Sequence, residues 1–262
     1  MDCIVLVKQV PDTQEVKMDP KTGTLIREGI QTIINPDDLH ALEEALALKE
    51  KHGGKVIAIS MGPPQAVEAL AEAIAMGADE AVLLSDRAFA GADTWATSHT
   101  LGKCIQKIGR FDLILCGRQA IDGDTAQIGP QVAEMLGIPQ ITYVRSLAIA
   151  GQKVQAERVM EDGFERIEAS LPALVTVLRD LNKPRYPTIP GLILACSSQA
   201  KIHFWNPADI GVKAQEIGLD GSLTHVVKTF PPAKKKEGEI LQGSTGEVVE
   251  QLVDRLKEIH IL

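Results

Sequence analysis

The sequence predicts an α/β fold: a doubly wound, mostly parallel sheet that carries a C-terminal extended arm and a terminal helix. Three observations point there. The runs CIVLV (3–7), KVIAISMG (55–62) and FDLILCG (111–117) are apolar throughout rather than alternating, as strands buried on both faces are. Helical patterns separate these runs. Aromatic residues make up only 3%, so the core has to be built from Val, Ile, Leu and Ala.

Taken in order, CIVLV is the first strand. NPDDLHALEEALALKEKHGG (35–54) is a helix, with Asn35 as its cap, Pro36 at the first helical position and Gly53-Gly54 as its stop. Leu39, Leu42, Ala45 and Leu46 share one face of it. KVIAISMG is the second strand, residues 64–78 the second helix, and EAVLLS (80–85) the third strand. A third helix follows over 93–109, a fourth strand at FDLILCG, a fourth helix over 125–137, and a fifth strand at QITYV (140–144). Beyond about 145 the pattern changes. QKVQAERVMEDGFERIEAS alternates around Asp162-Gly163, a hairpin signal. ALVTVLRD (173–180) is another strand. NKPRYPTIPG (182–191) has three prolines in ten residues and is expected to be irregular. Residues 204–239 lack long periodicity and read as an extended arm, with Lys234-Lys235-Lys236 as a solvated run. STGEVVEQLVDRLKEI (244–259) is an amphipathic helix with Val248, Val249, Leu252 and Leu256 inward. The expected division is therefore 1–190, a nucleotide-binding α/β domain with a hairpin extension, and 191–262, the arm and terminal helix.

The composition narrows the function. A net charge of -8 argues against nucleic acid as a partner. No run of about 18 apolar residues exists, so no membrane span is expected, and the location is expected to be cytoplasmic. Cys3, Cys104, Cys116 and Cys196 are scattered without any CxxC spacing, so no metal site is expected. Cys3 and Cys116 fall in strands and read as small buried hydrophobes. The six histidines are dispersed, and no nucleophile–base pair is visible, so no catalytic residue is assigned.

Ligands of such sheets sit beyond the carboxyl ends of the strands. There the sequence has GRQAIDGDTAQIGPQ (117–131), longer than a simple strand-to-helix connection and dense in unshielded amides. Asp124 or Thr125 can cap the next helix, with Gln127 completing a capping box. Pro130 suits a helix start near 127. Gly117, Gly123 and Gly129 permit close backbone approach. The stretch is either a phosphate site made of main-chain amides, with Arg118 beside it, or an ordinary capped loop. FAGADTWATS (89–98) poses the same alternative: Asp93 or Thr94 caps a helix, and Thr94, Thr97 and Ser98 cluster at its start. In INPDD (34–38), Asp37 and Asp38 are placed to accept bonds from a ribose or a base edge.

VKQVPD, NPDD, MGPPQAVEALAEAIAMGAD, GRQAIDGDTAQIGPQVAEMLGIPQITYV and LNKPRYPTIPGL, in this order, resemble the beta subunit of electron-transferring flavoproteins over nearly the whole chain. The resemblance implies an adenine-nucleotide alpha-hydrolase-like fold and a heterodimer with an alpha subunit that carries a flavin, the C-terminal arm and helix packing on that subunit. DRAFAGADTWATS looks like the electron-bifurcating branch, whose beta subunit binds FAD and takes a hydride from NADH; the alternative is the conventional branch, with structural AMP. By this resemblance Leu6, Asn35, Asp37, Met61 and the turn Ala120, Ile121, Asp122, Gly123, Asp124, Thr125, Ala126, Gln127, Ile128, Gly129 line the adenosine and phosphate end. Asp93, Thr94 and Thr97 would hold the rest of the FAD. KPRYPTIPGL matches the loop that recognises acyl-CoA dehydrogenases, with Ile189 where well-known relatives place a leucine knob. The implied electron acceptors are ferredoxin and, through the alpha-subunit FAD, such a dehydrogenase.

Overall fold

A computed structural model of the chain describes residues 1–12, 31–227 and 238–262. It forms two compact units, Met1–Val227 and Lys228–Leu262.

The first unit is built on β1 (Cys3–Leu6), β4 (Val56–Met61), β5 (Glu80–Leu84), β6 (Leu113–Gly117), β7 (Gln140–Ala150), β8 (Lys153–Met160), β9 (Gly163–Ser170), β10 (Ala173–Val177) and β11 (Ile202–Trp205), joined in one sheet of order β11-β5-β4-β1-β6-β10-β7-β8-β9. Two short strands, β2 (Gln9–Pro11) and β3 (Thr32–Ile34), pair antiparallel beside it. Every neighbouring pair from β11 to β7 is parallel, and β7, β8 and β9 continue antiparallel. β1 is central: Cys3–Leu6 lies in register with Val56–Ile59 on one side and Leu113–Cys116 on the other. The strand order reverses between β1 and β6, which leaves a crevice at their carboxyl ends.

Each central strand sends alternate residues to two cores. Cys3 and Val5 join Val56 and Ala58 under α1 (Pro36–His52) and α2 (Val67–Met76), packed by Leu42, Leu46, Leu70 and Ile74. Ile4 and Leu6 join Ile57 and Ile59 under α3 (Thr94–Ile108) and α4 (Ile128–Leu136), packed by Leu101, Ile105 and Val132. That two-sided burial is why the runs are apolar throughout. Phe89 is the one aromatic among the buried core residues described.

Several expectations need correction. Strand β7 continues past 144 to Ala150, bulging between Val144 and Ser146, because β8 extends it as a hairpin. The irregular stretch ends at Thr188, where α5 (Ile189–Ala195) begins with a proline in its first turn. The expected arm is folded up to Val227: β11 adds to the sheet edge beside β5, and α6 (Pro207–Ile210) follows behind an Asn206 capping box. The first unit thus runs well past the boundary drawn at 190. The lysine run at 234–236 lies outside the described residues.

The second unit contains α7 (Thr245–Glu258), at whose start the Glu247 carboxylate accepts from both the backbone amide and the hydroxyl of Ser244 at 2.8 Å. Its apolar stripe is not inward: no residue of α7 is buried, and Val249 and Leu252 are exposed. Among the described residues no helix is long and apolar enough to cross a membrane.

Candidate functional site

The crevice between β1 and β6 opens into a cleft of about 890 Å3. Its floor is apolar, made by Leu6, Ile59, Phe89, Leu101 and Cys116. Its walls are the two polar turns singled out in the sequence, 120–129 before α4 and 91–97 at the start of α3. Both helices therefore point their N-terminal ends at one space.

The 120–129 turn is held from behind. Asn35, fully buried, makes no cap bond to α1; its side chain instead donates to the Gln119 carbonyl at 2.9 Å and accepts from the Ile121 amide at 3.1 Å. Lys8 ties the front by an ion pair to Asp122 at 2.7 Å. Asp124 and Ala126 take positive φ, 53° and 55°. Left-handed residues between ordinary ones turn successive amides into an anion-binding concavity, and for an alanine that conformation costs roughly 1–2 kcal/mol. Such strain is stored at functional turns. Helix α4 starts at Ile128, so neither Asp124 nor Thr125 caps it; the Asp124 carboxylate accepts from the Gln119 side chain instead. The amides of Thr125, Ala126, Gln127, Ile128 and Gly129 donate to no acceptor among the described residues. Gly129 is buried, so an amide there with no internal acceptor calls for one from outside the described chain. The buried Nε of Arg118, which also borders the cleft, has no partner among the described residues.

The glycines do different work from that expected. A Cβ on Gly117 would lie 2.5 Å from Asp38 Oδ1, and one on Gly129 would lie 2.6 Å from Thr176 Cγ2. Both let protein pack on protein. Of the three, Gly123 alone has open space around it.

At the second turn Asp93 caps α3 through the Ala96 amide at 2.9 Å. Its other oxygen accepts from the Leu223 amide, the Thr224 amide and the Thr224 hydroxyl, each at 2.9 Å. Burial pushes the Asp93 carboxyl up, but these donors outweigh it and hold it below the ordinary carboxylate range. Asp93 is thus a clasp that brings Thr224 and Val226 to the cleft wall. Thr94 bonds Gln127 at 2.9 Å, linking the two turns, and Ser98 is buried on Gln131 at 3.0 Å. Thr97 lines the cleft, and its hydroxyl is committed to no partner among the described residues.

The structure brings together Leu6, Met61, Asp93, Thr94, Thr97, Ala120 and residues 122–129 as cleft lining. Asn35, Asp37 and Ile121 stand behind the wall: Asn35 braces the turn through Ile121, and Asp37 pairs with Arg179 at 2.6 Å. Asp38 lines the cleft in place of Asp37, accepting from the Lys8 amide at 2.9 Å and the Gly117 amide at 3.0 Å. Burial pushes its carboxyl up to about 7, against the lowering effect of those amides. Thr224 and Val226 carried no signal in the sequence, since only the fold brings them to a turn some 130 residues earlier. Burial drives the Cys116 thiol upward and so disfavours its thiolate.

An apolar floor and a strained turn of free amides at the start of α4 define an α/β protein with a candidate anion-binding cleft at the switch point of its sheet. The electron transfer flavoprotein domain matches residues 22–208. An electron transfer flavoprotein subunit beta of Thermoanaerobacterium thermosaccharolyticum is 55% identical over 262 residues, covering 100% of both chains. The caffeyl-CoA reductase-Etf complex subunit CarD of Acetobacterium woodii is 53% identical, with 100% of each chain covered. The acryloyl-CoA reductase electron transfer subunit gamma of Anaerotignum propionicum is 47% identical, again over 100% of each. The chain belongs to the electron transfer flavoprotein family, as a beta subunit.

Proposed function

We propose that this beta subunit binds FAD in the cleft, pairs with an alpha subunit carrying a second FAD, and takes a hydride from NADH. One electron then goes to ferredoxin, and the other passes through the alpha-subunit FAD to an acyl-CoA-type dehydrogenase. The observation that carries the reading is the continuity of the cleft from the 120–129 turn to Thr97. A monophosphate needs one helix start; a diphosphate with a ribityl chain needs donors beyond it. Two of the relatives, a caffeyl-CoA reductase-Etf complex subunit and an acryloyl-CoA reductase electron transfer subunit, fit a dehydrogenase-linked complex.

Bound there, FAD supplies two-electron uptake and one-electron release. The chain's residues bind and orient. The amides of 125–129 and the Arg118 guanidinium receive phosphate charge, the Thr97 hydroxyl takes a polar contact further along, and Leu6, Ile59 and Phe89 exclude water from the floor. The apolar stripe of α7 packs on the alpha subunit, and Ile189, 75% exposed, is the dehydrogenase contact. AMP is the second reading, since the 120–129 turn alone satisfies one phosphate.

Nucleotide extracted from the purified heterodimer decides between them. Two flavins per heterodimer are expected; one flavin and one AMP would overturn the FAD reading.

A further inference from the structure

The segment between β10 and α5 makes almost no hydrogen bonds of its own, so its order has to come from outside. It comes from α1. The Asn182 side chain donates through Nδ2 to the His40 carbonyl at 3.0 Å and to Glu44 at 3.1 Å. Further along the helix, Arg185 grips both oxygens of Glu43, Nε at 2.8 Å and Nη2 at 2.9 Å, and its backbone amide adds a bond at 3.0 Å. The same guanidinium pairs with Glu50, two turns on. The Glu43 side chain is only 12% exposed, which lifts this fork above an ordinary surface ion pair. Past the bracket the chain turns outward, and Tyr186, Ile189 and Ile193 are 88%, 75% and 67% exposed. At the start of α5, a Cβ on Gly191 would lie 2.1 Å from the Ala75 carbonyl oxygen, so that helix rests directly on the end of α2.

We infer that Arg185 is a positioning residue for docking: its double bracket to Glu43 and Glu50 holds residues 182–188 on α1 and presents the Tyr186–Ile193 surface preformed to the dehydrogenase. The inference rests on the reading of Ile189 as the dehydrogenase contact. A preformed surface loses less freedom on binding, so removing the bracket weakens docking without changing any contacting side chain.

The test is steady-state electron transfer from the purified heterodimer to an acyl-CoA dehydrogenase of varied concentration. Arg185→Ala, and separately Glu43→Gln with Glu50→Gln, are expected to raise KM for the dehydrogenase about tenfold. Both should leave kcat and bound nucleotide unchanged, and combining them should add nothing further. Arg185→Lys keeps the charge but not the fork and should restore only part of the loss. Without the partner, amides of 186–195 should exchange faster in both bracket variants, while 117–131 keeps its protection. If Arg185→Ala raises KM and the glutamine pair does not, Arg185 touches the partner itself and the inference fails. If Ile189→Ala raises KM and Arg185→Ala does not, the docking reading stands and the bracket falls. If Ile189→Ala has no effect, the docking reading falls; unchanged exchange in Arg185→Ala sinks the bracket in either case.

Discussion

Asp38 shows how one side chain joins fold to site. It satisfies two backbone amides at the ends of β1 and β6, and the fold buries it at the rim of the cleft. Folded, its carboxyl keeps a proton up to about pH 7; unfolded, it releases that proton near 3.8. The folded chain therefore binds more protons between these values, and stability contributed by this group falls as pH rises from about 4 to about 7. The full span is on the order of 4 kcal/mol. Urea unfolding of the wild type and Asp38→Asn across that range should show the slope shrinking in the variant. Asp38→Asn should also be less stable overall by about 1–3 kcal/mol, because one of the two amides loses its acceptor. Equal slopes in the two proteins would contradict the assignment.

At the scale of an element, the 117–131 connection combines two demands that glycine meets differently. Gly129 is small because Thr176 and Cys116 press against it, whereas Gly123 faces open space on the cleft side. Gly129→Val should therefore lower the unfolding free energy by about 1–3 kcal/mol through overpacking, visible as a lower denaturation midpoint. Gly123→Val should leave the midpoint unchanged and reduce the nucleotide retained through purification. Full nucleotide content in a normally stable Gly123→Val protein would refute the amide cradle. The second turn works by a different principle. Its carboxylate, Asp93, spends its acceptors on Ala96, Leu223 and Thr224, so it shapes the cleft by holding a distant segment there.

For the whole molecule, the sheet and both cores lie in the first unit, and the terminal helix lies in the second. A chain ending at Val227 should keep a single cooperative unfolding transition and its helical and strand circular dichroism. It should fail to form the heterodimer, as judged by gel filtration with the alpha subunit, because α7 leaves its apolar stripe exposed within this chain. Normal assembly of the truncated chain would show that the stripe serves something else.

The sequence by itself determined the class of fold, because strands buried on both faces have to be apolar at every position and helices on one face only at every third or fourth. It also located the two polar turns, since glycine, aspartate and threonine at a strand-to-helix junction have few uses other than caps and anion sites. Only the tertiary structure decided which of those residues face the cleft. Asn35 reads as a cap and Asp37 as a ligand, yet one braces Gln119 and Ile121 and the other pairs with Arg179, because packing across the sheet supplied partners that no local pattern encodes. The same holds for β10, inserted between β6 and β7, and for Thr224, carried to Asp93 by a segment that looked like a free arm. Local periodicity reports which face of an element is buried; which element lies against it depends on contacts between residues far apart in the chain, and those exist only once the sheet is ordered.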